Sequence, residues 1–195
     1  MPYLKITLLL LYTLYTGILN AAALPSGFVY LTDVVPTIVL DIRYAKTENF
    51  IGMPIDGYIN PIAITTKKAA IALNHAQTDF RRFGFSLKVF DAYRPQRAVD
   101  HFVRWAKDLK DVRKQAEYYP QVAKQELFRD DYIASKSGHS RGSTLDVTLV
   151  SFDAKGLEQE LDMGTHFDYF DPRSWPEYCK HPTLPSTSPS ILVFQ

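Results

Sequence analysis

In the stretch SGHSRGSTLDVTL, Ser137 to Leu149, a histidine and an aspartate stand seven positions apart. His139 lies in a turn between Gly138 and Gly142, and Asp146 lies inside a β-branched run. Imidazole nitrogen and carboxylate oxygen are both ordinary zinc ligands, so the two side chains could share an ion. The same spacing also suits an ion pair between Asp146 and Arg141, or a carboxylate that caps a turn, and two potential ligands do not define a site. The apolar neighbours Leu145 and Val147 sharpen the question, because an ionised carboxylate in such company is costly unless a cation pairs with it.

Regular elements must hold such a pair, and the sequence offers candidates. Thr144 to Val150 reads as a strand with Asp146 inside it. Between Thr66 and Phe83, Ala69, Ala70, Leu73, Ala76 and Phe80 recur at three- and four-residue steps and Gly84 follows, which predicts an amphipathic helix covering a sheet. Ser86 to Phe90 reads as a short strand. Pro95 then suits the first turn of a second helix, with Ala98, Val99, Phe102, Val103, Ala106 and Leu109 on its inner side. Arg94 would stand at the junction of that strand and helix. Val34 to Tyr44 predicts a further strand leading into a loop, KTENFIGMPIDGYIN, long enough to line a site, and Val122 to Arg129 a further short helix.

The chain has 195 residues, 46% of them hydrophobic, which is enough for one sizeable core. Its 22 basic and 21 acidic residues nearly cancel, so the electrostatic footprint of a nucleic-acid binder is missing. Helices and strands alternate too irregularly for a doubly wound nucleotide-binding sheet and no glycine-rich phosphate loop occurs, so a single mixed α+β domain is expected. At the N-terminus, Lys5, an apolar run from Ile6 to Leu19 and Ala21-Ala22-Ala23 fit a signal peptide over residues 1–23. The run is shorter than the roughly 20 apolar residues a membrane span needs, so export to the periplasm or outside the cell is expected, with no span in the mature chain. Cys179 is the only cysteine, which excludes an intrachain disulfide and any cysteine-rich zinc module.

The run Ser137-Gly138-His139-Ser140-Arg141-Gly142-Ser143-Thr144-Leu145-Asp146 resembles the S-x-H-x-x-G-x-A-x-D signature of the zinc D-alanyl-D-alanine dipeptidases, the vancomycin-resistance type of M15-like peptidase. Three further blocks match in order: Asp41-Ile42-Arg43-Tyr44 with Asn49-Phe50, Asp91-Ala92-Tyr93-Arg94-Pro95, and Asp162-Met163-Gly164-Thr165 with Phe167-Asp168. Four blocks in order are far more specific than any one. The resemblance implies a Hedgehog/DD-peptidase-like fold, a small antiparallel sheet flanked by helices, over residues 24–175. It implies Zn2+ held by His139 and Asp146, with Arg94 stabilising the transition state. It also implies a substrate pocket at Asp91, Ser137 and Tyr44. The activity implied is hydrolysis of the free dipeptide D-Ala-D-Ala in peptidoglycan metabolism, with a peptidoglycan-derived peptide as the wider substrate class. For Asp91 a helix-terminal carboxylate, and for Ser137 a turn residue, are the alternatives, while Arg43, Arg97 and Arg104 read as solvated or salt-bridged groups.

The family completes its site with E-x-x-H, supplying a general base and a third zinc ligand. Here residues 176–195 form a divergent Pro/Ser/Thr-rich tail without that motif, as in a chain shortened at its C-terminus, and Glu177 and His181 are spaced one residue too far apart. His166 reads as a loop histidine, and His75 and His101 as helix residues. A second reading of the chain is therefore an impaired member that binds cell-wall peptides or a protein partner.

Overall fold

The computed structural model describes residues 23–128 and 132–175, and the backbone of 192–194. Residues 1–22 of the expected signal peptide (1–23), Arg129, Glu177, Cys179, His181 and most of the tail lie outside the described residues. Phe28–Tyr30 (β1) pairs antiparallel with Ile64–Thr66 (β3) in a small two-stranded sheet. A second sheet runs Val39–Leu40 (β2), Phe85–Asp91 (β4), Leu145–Phe152 (β5) and Glu158–Glu160 (β6), with Leu192–Phe194 (β7) also against β5. All pairs in it are antiparallel except β2 with β4. Among the described residues, four α-helices complete the mixed α+β domain: Leu31–Val34 (α1), Lys67–Arg81 (α2), Gln96–Lys107 (α3) and Gln115–Tyr118 (α4).

The apolar spacing of α2 buries Ala70 and Leu73, and the Thr66 hydroxyl accepts the Ala69 amide at its N-terminus. The same face buries Gln77, whose amide donates to the Thr37 carbonyl and Ser86 hydroxyl and accepts Leu87 N–H. Every polar atom of that side chain is thus engaged in tying α2 to β4. Side chains alternate along β4: Leu87 and Val89 join Leu145, Val147 and α2 in one core, whereas Phe90 joins an aromatic core with Tyr44, Phe50, Phe102, Trp105 and Phe167. On the aromatic face the buried Lys88 is held by Glu158 at 2.7 Å, Glu160 at 2.6 Å and Asp41 at 3.5 Å. That cation clamps β2, β4 and β6 together.

Between Val89 and Asp91 the register slips: Val89 faces Val147, but Asp91 faces Asp146. One extra residue on β4 opposes β5 there, and such a bulge re-aims the next side chain. Without it Asp91 would share the face of Val89; with it, Asp91 joins Asp146.

Three expected elements differ. The strand over Val34 to Tyr44 reduces to Val39–Leu40, since Val34 ends α1 and Arg43–Ala45 form a single helical turn. Pro36 has no amide to donate to a ladder, and Asp41 draws back Arg43 (2.7 Å) and Lys46 (2.6 Å), which bends the chain out of the sheet. The helix over Val122 to Arg129 is one turn, Lys124–Glu126. Its Lys124 ammonium instead donates to the carbonyls of Asp108 and Asp111, both at 2.7 Å. Pro95 precedes α3 as its cap, and Leu109 lies past the helix end, exposed.

Candidate active site

The turn Gly138–Arg141 is capped by the Ser137 hydroxyl, which accepts His139 N–H at 3.2 Å, and it closes on Gly142 at φ +75°. The cap and the left-handed glycine turn the chain so that the His139 ring lies beside β5. Its Nδ1 lies 3.0 Å from the Ala92 carbonyl oxygen. A carbonyl only accepts, so Nδ1 carries the proton and the Nε2 lone pair is left for another partner. Nε2 faces Asp146 Oδ1 at 3.3 Å. A charge-assisted hydrogen bond would be shorter, about 2.7–2.9 Å. Zinc bonds of about 2.0–2.1 Å at a tetrahedral angle put two donor atoms roughly 3.3–3.4 Å apart, so the donor pair fits that ion.

Asp91, fully buried, lies on the opposite side of the ring, with Oδ2 3.2 Å from Nδ1. Asp91, His139 and Asp146 can each bring a ligand atom within 4.8 Å of the others, a grouping of metal-binding type among the described residues. The oxygens of Asp91 are already engaged, however. Oδ1 accepts Tyr58 O–H at 2.6 Å and Ala92 N–H at 2.9 Å, and Oδ2 accepts Arg94 Nε at 2.9 Å with the terminal guanidinium nitrogen at 2.8 Å. The geometry gives Asp91 the place of a group that orients a ligand rather than that of an open ligand.

Arg94 is held at the junction of β4 and α3, where its amide donates to the His139 carbonyl at 3.3 Å. Its guanidinium reaches within 3.7 Å of Asp146 Oδ2 and lies over the rings of Tyr44 and Phe102. Arg94, then, is the cation beside Asp146; Arg141 is exposed. Tyr44 is buried in the aromatic core and donates to Asp168 Oδ2 at 2.9 Å. Burial, then the charge of Asp168, push that phenol well above its usual range, so it remains a donor.

No role for Asp168 or Tyr58 follows from the sequence motifs. Asp168 has φ +60°, the one described non-glycine residue in the left-handed region, and burial followed by the charge of Asp146 pushes its carboxyl up to about 7. Backbone strain and a perturbed carboxyl together mark functional sites; the signal in sequence was its place at the end of the Asp162 block. Tyr58 belongs to the loop expected to line a site. Elsewhere, His166 directs both ring nitrogens at backbone carbonyls, His75 is exposed, and His101 accepts Asp56 N–H. Arg43 and Arg104 are ion-paired to Asp41 and Asp56, and Arg97 is exposed.

A family model described as D-ala-D-ala dipeptidase, of the Peptidase M15 group, matches residues 25–184. The chain is 42% identical over 149 residues to a D-alanyl-D-alanine dipeptidase of Enterococcus faecalis, which covers 76% of this chain and 72% of that protein. It is 41% identical over 147 residues to one of Streptomyces coelicolor, covering 75% and 71%, and 38% over 148 residues to one of Enterococcus faecium, covering 76% and 72%. All three are named for dipeptide hydrolysis, so the reading as a binder without catalysis gains no support from them.

Proposed function

This chain belongs to the D-Ala-D-Ala dipeptidase family, and we propose that it is a zinc-dependent peptidase that hydrolyses the free dipeptide D-Ala-D-Ala. The observation that carries the reading is the pairing of His139 Nε2 with Asp146 Oδ1 at 3.3 Å, with the Arg94 guanidinium 3.7 Å from the same carboxylate. His139 and Asp146 would hold the ion. Zinc at that place supplies Lewis acidity at the scissile carbonyl and brings the pKa of a water molecule to about 7.

Charge stabilisation and substrate binding fall to the chain's own side chains. Arg94, fixed by Asp91 and by two aromatic rings, offers its guanidinium where negative charge develops on the carbonyl oxygen. It remains charged at every relevant pH, so it needs no tuning. Asp168 and Tyr44 present a half-buried carboxyl group and a buried phenol, hydrogen-bonded to each other at 2.9 Å. A free ammonium paired with Asp168 would relieve the burial that raises its carboxyl, which favours a substrate with an unblocked N-terminus. Ser137, engaged with His139 N–H, shapes the turn next to that pocket. Export through residues 1–23 would place the enzyme where cell-wall peptides are turned over.

The test is to express the chain without residues 1–23, load it with zinc and follow D-alanine release from D-Ala-D-Ala. Stoichiometric zinc and release abolished by a chelator are expected. Zinc uptake without release from the dipeptide, or release untouched by the chelator, would sink the reading. Cleavage of longer muropeptides at the dipeptide's rate would move the substrate class to polymeric peptidoglycan.

A further inference from the structure

Five nitrogen or hydroxyl groups surround the Asp91 carboxylate, and four come from the site itself or from the chain next to it: Ala92 N–H, two nitrogens of Arg94, and Nδ1 of His139 at 3.2 Å, whose proton goes to the Ala92 carbonyl. The fifth, Tyr58 O–H at 2.6 Å, arrives 33 positions earlier in the sequence, from the loop between Lys46 and Ala63. Elaborate anchoring brings it there. Asn49, fully buried, accepts the amides of Ile51 and Gly52 and donates to the carbonyls of Lys46 and Met53, which folds the first half of the loop. Asp56 is paired with Arg104 and its amide donates to His101, both on α3. Gly57, at φ +98°, lies so close to α3 that a Cβ there would be 2.6 Å from Arg97 Nε and 2.7 Å from Pro95 Cγ. After Tyr58 the chain leaves at once for solvent: Ile59 is 82% exposed.

We propose that Tyr58 is a positioning residue: its hydroxyl fixes the rotamer of Asp91, and through Asp91 it sets the metal-holding ring of His139 and the guanidinium of Arg94 at one separation. A carboxylate held by only its near neighbours could rotate about its side-chain bond. Either oxygen could then take the Arg94 fork, and the His139 ring would lose the negative charge fixed 3.2 Å from Nδ1. Tyr58 binds Oδ1 from the far side, which leaves Oδ2 alone facing both Arg94 and His139. Burial, followed by the Asp91 charge, holds the phenol protonated, so it acts only as a donor. The loop thereby reports to both halves of the site without touching the ion or the substrate.

The proposal rests on the reading of His139 and Asp146 as the zinc site, and Tyr58→Phe tests it because only the hydroxyl is removed. In the folded variant, checked by near-UV circular dichroism, zinc affinity measured by chelator competition should fall roughly 10–100-fold, the effect of losing a partner of a ligand. The kcat on D-Ala-D-Ala should fall about as far, because Arg94 loses its register. In the zinc-free chain the nitrogen resonances of the His139 ring should shift. Gly57→Ala, which pushes the loop off α3, should move all three readouts the same way and is read in place of Tyr58→Phe if that variant does not fold. Ile59→Ser, one residue on and exposed, should move none. Wild-type affinity, kcat and ring resonances in Tyr58→Phe would overturn the proposal. If the wild-type chain takes up no zinc, the zinc reading fails by itself, and the ring resonances of the metal-free chain still decide the role of Tyr58.

Discussion

At the scale of single residues, the chemistry follows from which atoms remain free. His139 Nε2 and Asp146 Oδ1 face each other, while Nδ1 and both oxygens of Asp91 are taken. Asp146→Asn should therefore cost zinc affinity more than the roughly 10–100-fold that follows loss of a ligand's hydrogen-bonding partner, as equilibrium dialysis would read. Asp146→Asn with unchanged zinc content would remove Asp146 from the metal site. Arg94→Lys keeps a positive charge but not the two-pronged contact with Asp91, nor the flat face over Tyr44 and Phe102. Its kcat should drop about 100–1,000-fold, the measured scale for losing one oxyanion donor, with zinc content intact. The nearness of His139, Asp146 and Arg94 was expected from the two sequence blocks that hold them. The places of Asp168 and Tyr58 were not, because nothing in their own neighbourhoods says that a residue 124 positions earlier or 33 positions later meets them.

At the scale of elements, two predictions concern what holds the strands in register. Gln77→Leu keeps the volume but strands Leu87 N–H and leaves the Thr37 carbonyl and Ser86 hydroxyl short of a partner. It should lower stability by roughly 2–3 kcal/mol in urea unfolding, as unsatisfied buried groups do. Asp41 is a pH-dependent clasp. Burial raises its carboxyl, but the bonds and charges of Lys46, Arg43 and Lys88 outweigh that and hold it below the usual range. Its stabilising contribution is thus fully present above the unfolded value of about 4 and fades as pH falls through the lower folded value. The stability gap between wild type and Asp41→Asn should be on the order of 1 kcal/mol at neutral pH and close below about pH 4 in a urea series. A gap that widens in acid would contradict the assignment. Helix α2 and strands β4 and β5 could be read from periodicity alone. The strand over Val34 to Tyr44 misled because β-branched composition outweighed Pro36, and the Asp41 ion pairs that bend the chain are partners no local window contains.

At the scale of the whole molecule, the central sheet separates an aliphatic core under α2 from an aromatic core against α3, and the site lies on the aromatic side, where Tyr44 and Phe102 flank Arg94. Gly142 joins the site to the small sheet: its carbonyl accepts Thr66 N–H at 2.8 Å and Thr65 O–H at 2.7 Å, and the Phe28 ring packs against its Cα. Gly142→Ala should lower stability by roughly 2 kcal/mol or more, since a side chain at positive φ is strained and its Cβ would overlap Phe28. Adding Phe28→Leu should restore part of that loss in thermal unfolding, by removing the overlap but not the strain. No recovery in the double variant would show that Phe28 is not the obstacle. Residue types and their order are written in the chain: an imidazole and a carboxylate seven apart, an arginine between strand and helix, and the periodicity of α2 and β5. Those are local properties, fixed by spacing and side-chain chemistry. The tertiary structure alone decided that Asp91 faces Asp146 and not the aliphatic core. One extra residue in β4 reverses the face of every side chain that follows, and that slip is set by pairing with β5, far along the chain.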